Sequence, residues 1–261
     1  MHASEAPAGD IPTLSWQGEP VGDRTCAACD HAALRSIGGC RPGHSCMQDA
    51  YARRIDRFFR THPELARQHL AHPYFEVRAI AARHVDLFQL AALLHDPDET
   101  VRLQVALRVP QHLLRKLRGD PHREVRIRVA LRIAPDQLIS MRGDPDYQVR
   151  AVVARRLPEA LLPTMMDDAD LQVRLEVARR LSVTALWRLS ADPAPEVRRI
   201  AAERLPPALL EPLAGDSDWT VRWEAAGRAM GQVLQRLLQD AEPDVRARAL
   251  ERQAELGAVH G

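Results

Sequence analysis

Four cysteines carry the clearest chemistry in this chain. They are Cys26, Cys29, Cys40 and Cys46, and no other cysteine occurs in the 261 residues. Four thiolates gathered at one point hold either a tetrahedral zinc ion or a [4Fe–4S] cluster. The Cys26/Cys29 pair alone is weak evidence, but four cysteines within 21 residues are strong evidence. Zinc sites usually close with two tight knuckles, whereas five residues separate Cys40 from Cys46. Gly38, Gly39 and Gly43 flank Cys40, and glycine permits tight turns and close backbone approach to a bulky group. Spacing alone leaves zinc and iron–sulfur open, with disulfides a lesser alternative in a reducing compartment. His31 and His44 lie nearby, but four sulfur ligands make them unnecessary, and both are expected on the surface.

Arginine supplies the second chemistry. Of the 36 basic residues only Lys116 is lysine. Arg78, Arg102, Arg126, Arg150, Arg174, Arg198, Arg222 and Arg246 each follow a valine and stand 24 residues apart. On a helical wheel this column falls inside the apolar arc, where an unpaired charge is costly. Asp96, Asp120, Asp144, Asp168, Asp192, Asp216 and Asp240 recur with the same period. The two columns are expected to pair as a structural ladder, within or between neighbouring units; a row of guanidiniums offered to phosphates is the alternative. A second column, Arg108, Arg132, Arg156, Arg180, Arg204 and Arg228, with His84 before it and Arg252 after, flanks the apolar face. It is expected to be solvent-reachable, as a solvated face or as a contact for an anion or partner.

Other chemistry is thin. The chain has no Gly-rich phosphate loop, no G-x-S-x-G and no H-E-x-x-H, so it reads as a non-enzyme. Trp187, Trp219 and Trp223 interrupt an otherwise aliphatic pattern, as packing variants or as a partner-binding patch. The formal net charge is +1, which creates no overall field towards nucleic acid or membrane. No apolar run reaches the length of about 18 residues that a membrane helix needs, and residues 1–23 lack a secretory pattern. A cytoplasmic protein is expected.

The elements that must position these side chains follow from the period. A fixed 24-residue spacing means one small unit stacked many times. Units begin at residues 72, 96, 120, 144, 168, 192, 216 and 240. Each opens on Asp, except for His72, and carries a first helix with Val at its core; the first seven units place Ala five residues later, from Ala82, Ala106 and Ala130 to Ala226. Small residues there let neighbouring helices approach closely. Either the opening Asp or the acid three residues before the Val (Asp98, Asp146, Asp170, Asp218, Glu242) can cap that helix. A shorter segment follows, with Leu90, Leu114, Leu138, Leu162, Leu186, Leu210 and Leu234 in one column and Leu or Met three residues later. A three-residue step suits a 3₁₀ helix, and two α-turns would also accept it.

The Asp-Pro-x-x-x-Val-Arg…Ala…Leu-Pro…Leu-Leu-x-x-Leu unit resembles the leucine-rich repeat variant (LRV) family over residues 72–261, and the cysteine module ahead fits the iron–sulfur members. The resemblance implies an all-α fold: alternating α and short 3₁₀ helices in a right-handed superhelical solenoid. It also implies a [4Fe–4S] cluster near the N-terminus, which favours the cluster over zinc, and brings no activity. The expected organisation is an irregular lead-in and iron–sulfur cysteine module over 1–48, a helical cap over 49–71 with Arg53 in the Val position, and the solenoid over 72–261. The leading functional expectation is a protein-binding scaffold with a stabilising or redox-sensing cluster. The alternatives are a nucleic-acid binder using the arginine columns and an electron-transfer protein docking a redox partner.

Overall fold

The computed structural model describes residues 11–259. It holds two compact units, the first ending at Arg132 and the second beginning at Ile133. The described residues contain no strand, only isolated bridges at Leu14/Pro20, Ser15/Asp49 and Arg41/Ser45. The architecture is all-α, with α-helices and short 3₁₀ segments in alternation.

The first unit opens on the short helices Asp23–Ala27 and Ala32–Ser36, then the capping helix Ala52–Thr61 and the 3₁₀ segment Pro63–His69. Repeat helices follow at Phe75–Ala81, Glu99–Arg108 and Arg123–Arg132. The second unit carries repeat helices at Tyr147–Arg156, Leu171–Arg180, Pro195–Arg204, Trp219–Ala226 and Pro243–Val259. Between them run the shorter segments. Some are 3₁₀ throughout (Pro135–Met141, Glu159–Met165), some begin with an α-turn (Val183–Leu186 before Trp187–Ala191), and Gly231–Leu237 is α-helical. The three-residue leucine step tolerates both geometries, since side chains three apart share a face in either.

The core of each unit is the set of columns seen in the sequence. Val77, Val101, Val125, Val149, Val173, Val197, Val221 and Val245 are fully buried, as are Ala82, Ala106, Ala130, Ala154, Ala178, Ala202 and Ala226. The leucine columns are buried beneath them. Burying a Leu or Val side chain contributes about 1.5–3 kcal/mol, so the stack is held mainly by this aliphatic layer.

In the units that carry both acids, the two divide the capping work. The N-cap is the acid three residues before the Val: Asp98 accepts from Thr100 N, Asp146 from Gln148 N and Val149 N, Asp170 from Gln172 N and Asp218 from Thr220 N. The opening Asp instead accepts from the N–H two residues on, as Asp96 does from Asp98 N at 2.9 Å. This local turn delivers the chain into the cap.

One expectation changes. The irregular lead-in is tied by local bonds from Ile11 onwards: the Ser15 hydroxyl accepts from Gln17 N and Glu19 N, and Val21 N donates to Thr13 O. Residues 1–10 of that lead-in lie outside the described residues. In the capping helix Arg53 is exposed and Arg54, Ile55, Phe58 and Phe59 are buried. The N-caps Tyr51 and Tyr74 stand 23 residues apart, so the frame slips by one residue and Arg53 does not occupy the Val position.

Candidate metal centre

Three local structures bring the cysteines together. Cys29 N donates to Cys26 O at 3.3 Å, a turn that leaves the helix Asp23–Ala27 with both side chains on one side. Arg41 N donates to Ser45 O and Ser45 N to Arg41 O, both at 2.9 Å. That reciprocal pair closes the loop between Cys40 and Cys46 and sets the two cysteines side by side. Gly43 turns this loop at φ 73° and Gly38 enters it at φ 77°, a backbone region that costs other L-residues energy. Cys46 N is then tied to Arg54 O, and His62 Nε2 donates to Gly39 O at 2.8 Å. The capping helix thus anchors the module.

All four cysteines line one small pocket, shared with Val21, His31, Met47, Phe58 and Arg35. No carboxylate is among its lining residues. Burial pushes the Cys46 thiol up to about 11 and also raises Cys40, and the charges of Cys26 and Cys29 raise both further. Thiolates crowd here in an apolar setting that disfavours them unless a cation compensates, which is the setting a thiolate-ligated metal group reverses. Donors are aimed at the sulfur: His31 N lies 3.4 Å and Gln48 Nε2 3.8 Å from Cys29 Sγ. Among the described residues no three His, Cys, Asp or Glu side chains are gathered as a single metal ion would need, but a lining of four sulfurs without carboxylates suits a larger thiolate-bound group.

His31 departs from expectation. It is buried, and its Nε2 lies 2.7 Å from His69 Nε2. One ring donates and the other accepts, so the pair carries one shared proton at that contact. Burial, then the charges of His31 and His72, push His69 down to about 4. His44 is exposed, as expected. His69, Gln48 and Arg35 were not singled out from sequence. For His69 a signal existed: 24 residues before Leu90 and Leu93 stand Ala66 and His69, both buried, so a histidine occupies a core leucine column.

The repeat arginines reach the next unit's opening Asp through two bonds. Arg102 Nε and Nη2 donate to Asp120 at 2.7 and 3.0 Å, while Nη1 donates to the carbonyls of Asp96 and Pro97. In the first unit Arg78 pairs with Asp96 in the same way. In the second, Arg150 pairs with Asp168, Arg174 with Asp192, Arg198 with Asp216 and Arg222 with Asp240. Arg126 and Arg246 make the same carbonyl contacts, to Asp120 and to Asp240, and Asp144 makes the same turn to Asp146 N. Where the opening Asp is replaced by His72, its Nδ1 accepts from Tyr74 N, and the buried Arg54 turns to Asp49 and the carbonyl of Ile11.

The second arginine column is half-buried, not a solvent-facing row. Arg108 Nη1 donates to Ala82 O at 2.6 Å, Arg132 to Ala106 O, Arg180 to Ala154 O, Arg204 to Ala178 O and Arg228 to Ala202 O. These carbonyls belong to the last turn of the preceding repeat helix, which has no partners of its own. A cation there also complements the negative end of the helix. Arg156 occupies the same half-buried position.

Comparison with known proteins agrees with this geometry. Residues 13–68 match the family model described as "LRV protein FeS4 cluster", and residues 195–218 match "Leucine rich repeat variant". A 27.7 kDa protein of Rhodobacter capsulatus, described as uncharacterized and in the nifB 3' region, is 46% identical over 104 residues. That match covers 40% of this chain and 41% of the relative. A solved structure described as a leucine-rich repeat variant with a novel repetitive protein structural motif superposes with TM-score 0.83. It shares 44% identity, over 89% of this chain and 99% of that one. The repeat helices, the shorter segments between them and this likeness lead to one conclusion: the chain belongs to the leucine-rich repeat variant family.

Proposed function

We propose that this protein is a non-catalytic repeat scaffold that binds a protein partner and carries a [4Fe–4S] cluster, held by Cys26, Cys29, Cys40 and Cys46. The observation that carries the reading is the convergence of all four cysteines on one pocket free of carboxylates, in the segment that matches an FeS4 family model. Such a cluster supplies a one-electron redox centre and a covalent staple across the module. Four cysteines fill all four iron positions, so redox sensing or stabilisation is favoured over substrate chemistry. The chain's own residues supply the rest. His31 N and Gln48 Nε2 donate towards Cys29 Sγ, and Phe58 and Met47 keep water from the buried side.

The nucleic-acid reading loses support because the arginine columns are committed within the stack. Ladder guanidiniums direct Nε and Nη2 to carboxylates and Nη1 to carbonyls, leaving little for a phosphate. No helix among the described residues is long and apolar enough to cross a membrane.

Protein purified without oxygen is expected to show broad brown absorbance, with about four irons and four sulfides per chain. A colourless protein holding about one zinc would replace the cluster by a structural knuckle and remove the redox role. Pull-downs under reducing and oxidising conditions then test whether partner capture follows the cluster state.

A further inference from the structure

The second unit contains a cleft that neither the repeat architecture nor the cysteine module explains. It is an open hollow of about 450 Å³ between the helices Pro195–Arg204, Trp219–Ala226 and Pro243–Val259, lined by Arg199, Trp219, Trp223, Asp244, Arg248 and Glu251. Its size is that of a ligand or side-chain pocket. Trp219 and Trp223 are one helical turn apart, so both rings face the same way, and they remain 44% and 37% exposed. Exposed tryptophan is not needed to stack a repeat. No other unit carries Trp at either position, and none has glycine at the position of Gly227.

Gly227 leaves room for one wall of the cleft. A Cβ at this position would stand 2.6 Å from Arg248 Nε and 2.8 Å from Nη2, so only glycine admits the guanidinium. Seated there, Arg248 lies over the Trp223 ring, 5.3 Å from its centroid, and its Nη1 reaches Glu251 at 2.9 Å. One face of Trp223 is therefore stiffened by a neutralised cation, as in a rigid recognition wall.

The remaining charges indicate the occupant. Glu251 is engaged by Arg248, and Asp244 sits in the first turn of Pro243–Val259, where the helix N-terminus favours an acid. Arg199 is exposed at the lip, and among the described residues it makes no hydrogen bond or ion pair at contact distance, with Glu224 near enough only to sense its charge. An incoming carboxylate has a guanidinium to meet and an indole beside it. A polyanion would also face Asp244 and Glu251, which argues against nucleic acid.

We infer that this cleft docks a segment of a partner protein that presents an Asp or Glu beside an aromatic or aliphatic side chain, with the carboxylate on Arg199 and the apolar group on Trp219. The inference rests on the scaffold reading above, and it gives that reading a location. Trp and Arg are the residue types that dominate the energetics of protein interfaces.

The test uses the full chain with its metal content measured separately, so a failed cluster assignment and a failed cleft remain distinguishable. Random dodecapeptides displayed on phage are selected against the protein, and winners are measured as synthetic peptides. Winners are expected to carry an acid within about two positions of Phe, Trp or Leu. Trp219→Ala and Arg199→Glu should each weaken them by about tenfold or more, the scale of an interface hot spot. Trp187→Ala, removing a 56%-exposed ring outside the cleft, should leave binding unchanged. Circular dichroism melts check that the variants fold. Failure to select any peptide, winners without acids, or affinities indifferent to Trp219 and Arg199 would overturn the assignment. Binding of a thymidine 20-mer lost with the same substitutions would also overturn it, in favour of a nucleic-acid surface.

Discussion

The cysteine module and the repeat array treat buried polar groups in opposite ways. In the array Arg78, Arg102, Arg150, Arg174, Arg198 and Arg222 each meet the next repeat's carboxylate and two carbonyls of their own repeat, and Arg108, Arg132, Arg180, Arg204 and Arg228 each meet an orphan helix carbonyl, while Arg252 turns to Glu255. The module buries Cys46 and the pair His31/His69, and the thiols have only N–H donors to meet. The array thus satisfies most of its buried polar groups by its own repetition, although among the described residues His84 Nε2, His122 Nδ1, Arg128 Nε and Arg252 Nε are left without a hydrogen-bond partner. The module holds thiols that burial pushes away from ionisation, the setting in which the cluster is proposed. On the proposed function, reactive chemistry would belong to the module and surface presentation to the array.

The largest break in this contrast is expected at the proposed cluster ligands. Cys46→Ala should abolish iron retention and lower the melting transition of the first unit, seen through Trp16, while the second unit, seen through Trp187, Trp219 and Trp223, stays folded. Equal loss in both units would show that the cluster is not local to the module.

Next comes the ladder. Arg102→Met strands the buried Asp120 carboxylate and should cost about 3–5 kcal/mol. Pairing it with Asp120→Leu should recover most of that loss, less the bond Asp120 makes to His122 N. Denaturant melts of the two variants measure the difference, and a silent single substitution would sink the ladder as a stabilising device.

The pH response separates the two regions further. Folded His69 stays neutral down to about 4, while the unfolded chain takes up a proton below the ordinary 6.5. The unfolded state thus binds more protons in that window, so the first unit should lose stability as pH falls from about 6.5 to about 4. In the array Asp240 is held below its ordinary 3.8, first by its bond to Arg222. Its contribution is complete above that value and is lost only as pH falls through the lower folded pKa. Melts between pH 7 and 4 should therefore show the first unit, where burial also lowers His31, His72 and His84, losing stability as the pH falls and the second unit not doing so, and His69→Leu should reduce the first unit's slope.

Smaller effects belong to single bonds. Arg180→Ala removes a charged donor from Ala154 O and should cost about 1.5 kcal/mol. Asp98→Ala removes a helix cap and should cost about 1 kcal/mol. Both values come from the same melts, and an Arg180 variant as stable as the parent would return that column to a solvent role.

Much of the fold was legible because repetition multiplies the signal. A Val, an Ala and two Leu in register across successive units define one buried face, and the Asp-Pro opening marks each start. The cap was not legible, because Asp96 and Asp98 are both competent acids and only backbone geometry selects Asp98. Arg102 likewise has Asp96 six residues before it and Asp120 eighteen after. The structure uses the backbone of the first and the carboxylate of the second, a choice made by helix stacking. The one-residue slip at Tyr51 and the burial of His31 were hidden because the module repeats nothing.

By itself the sequence determined the 24-residue unit, the buried columns, the helical class and the presence of a four-sulfur donor set, since each follows from residue type and period. Tertiary structure alone decided which aspartate each arginine meets, that the second arginine column caps helices, that His31 faces His69, and that Gly227 and Arg248 make one wall of a tryptophan-lined cleft. Period encodes which face of an element is buried. It does not encode which atom of the neighbouring unit that face meets, because that depends on the offset of the stacked helices.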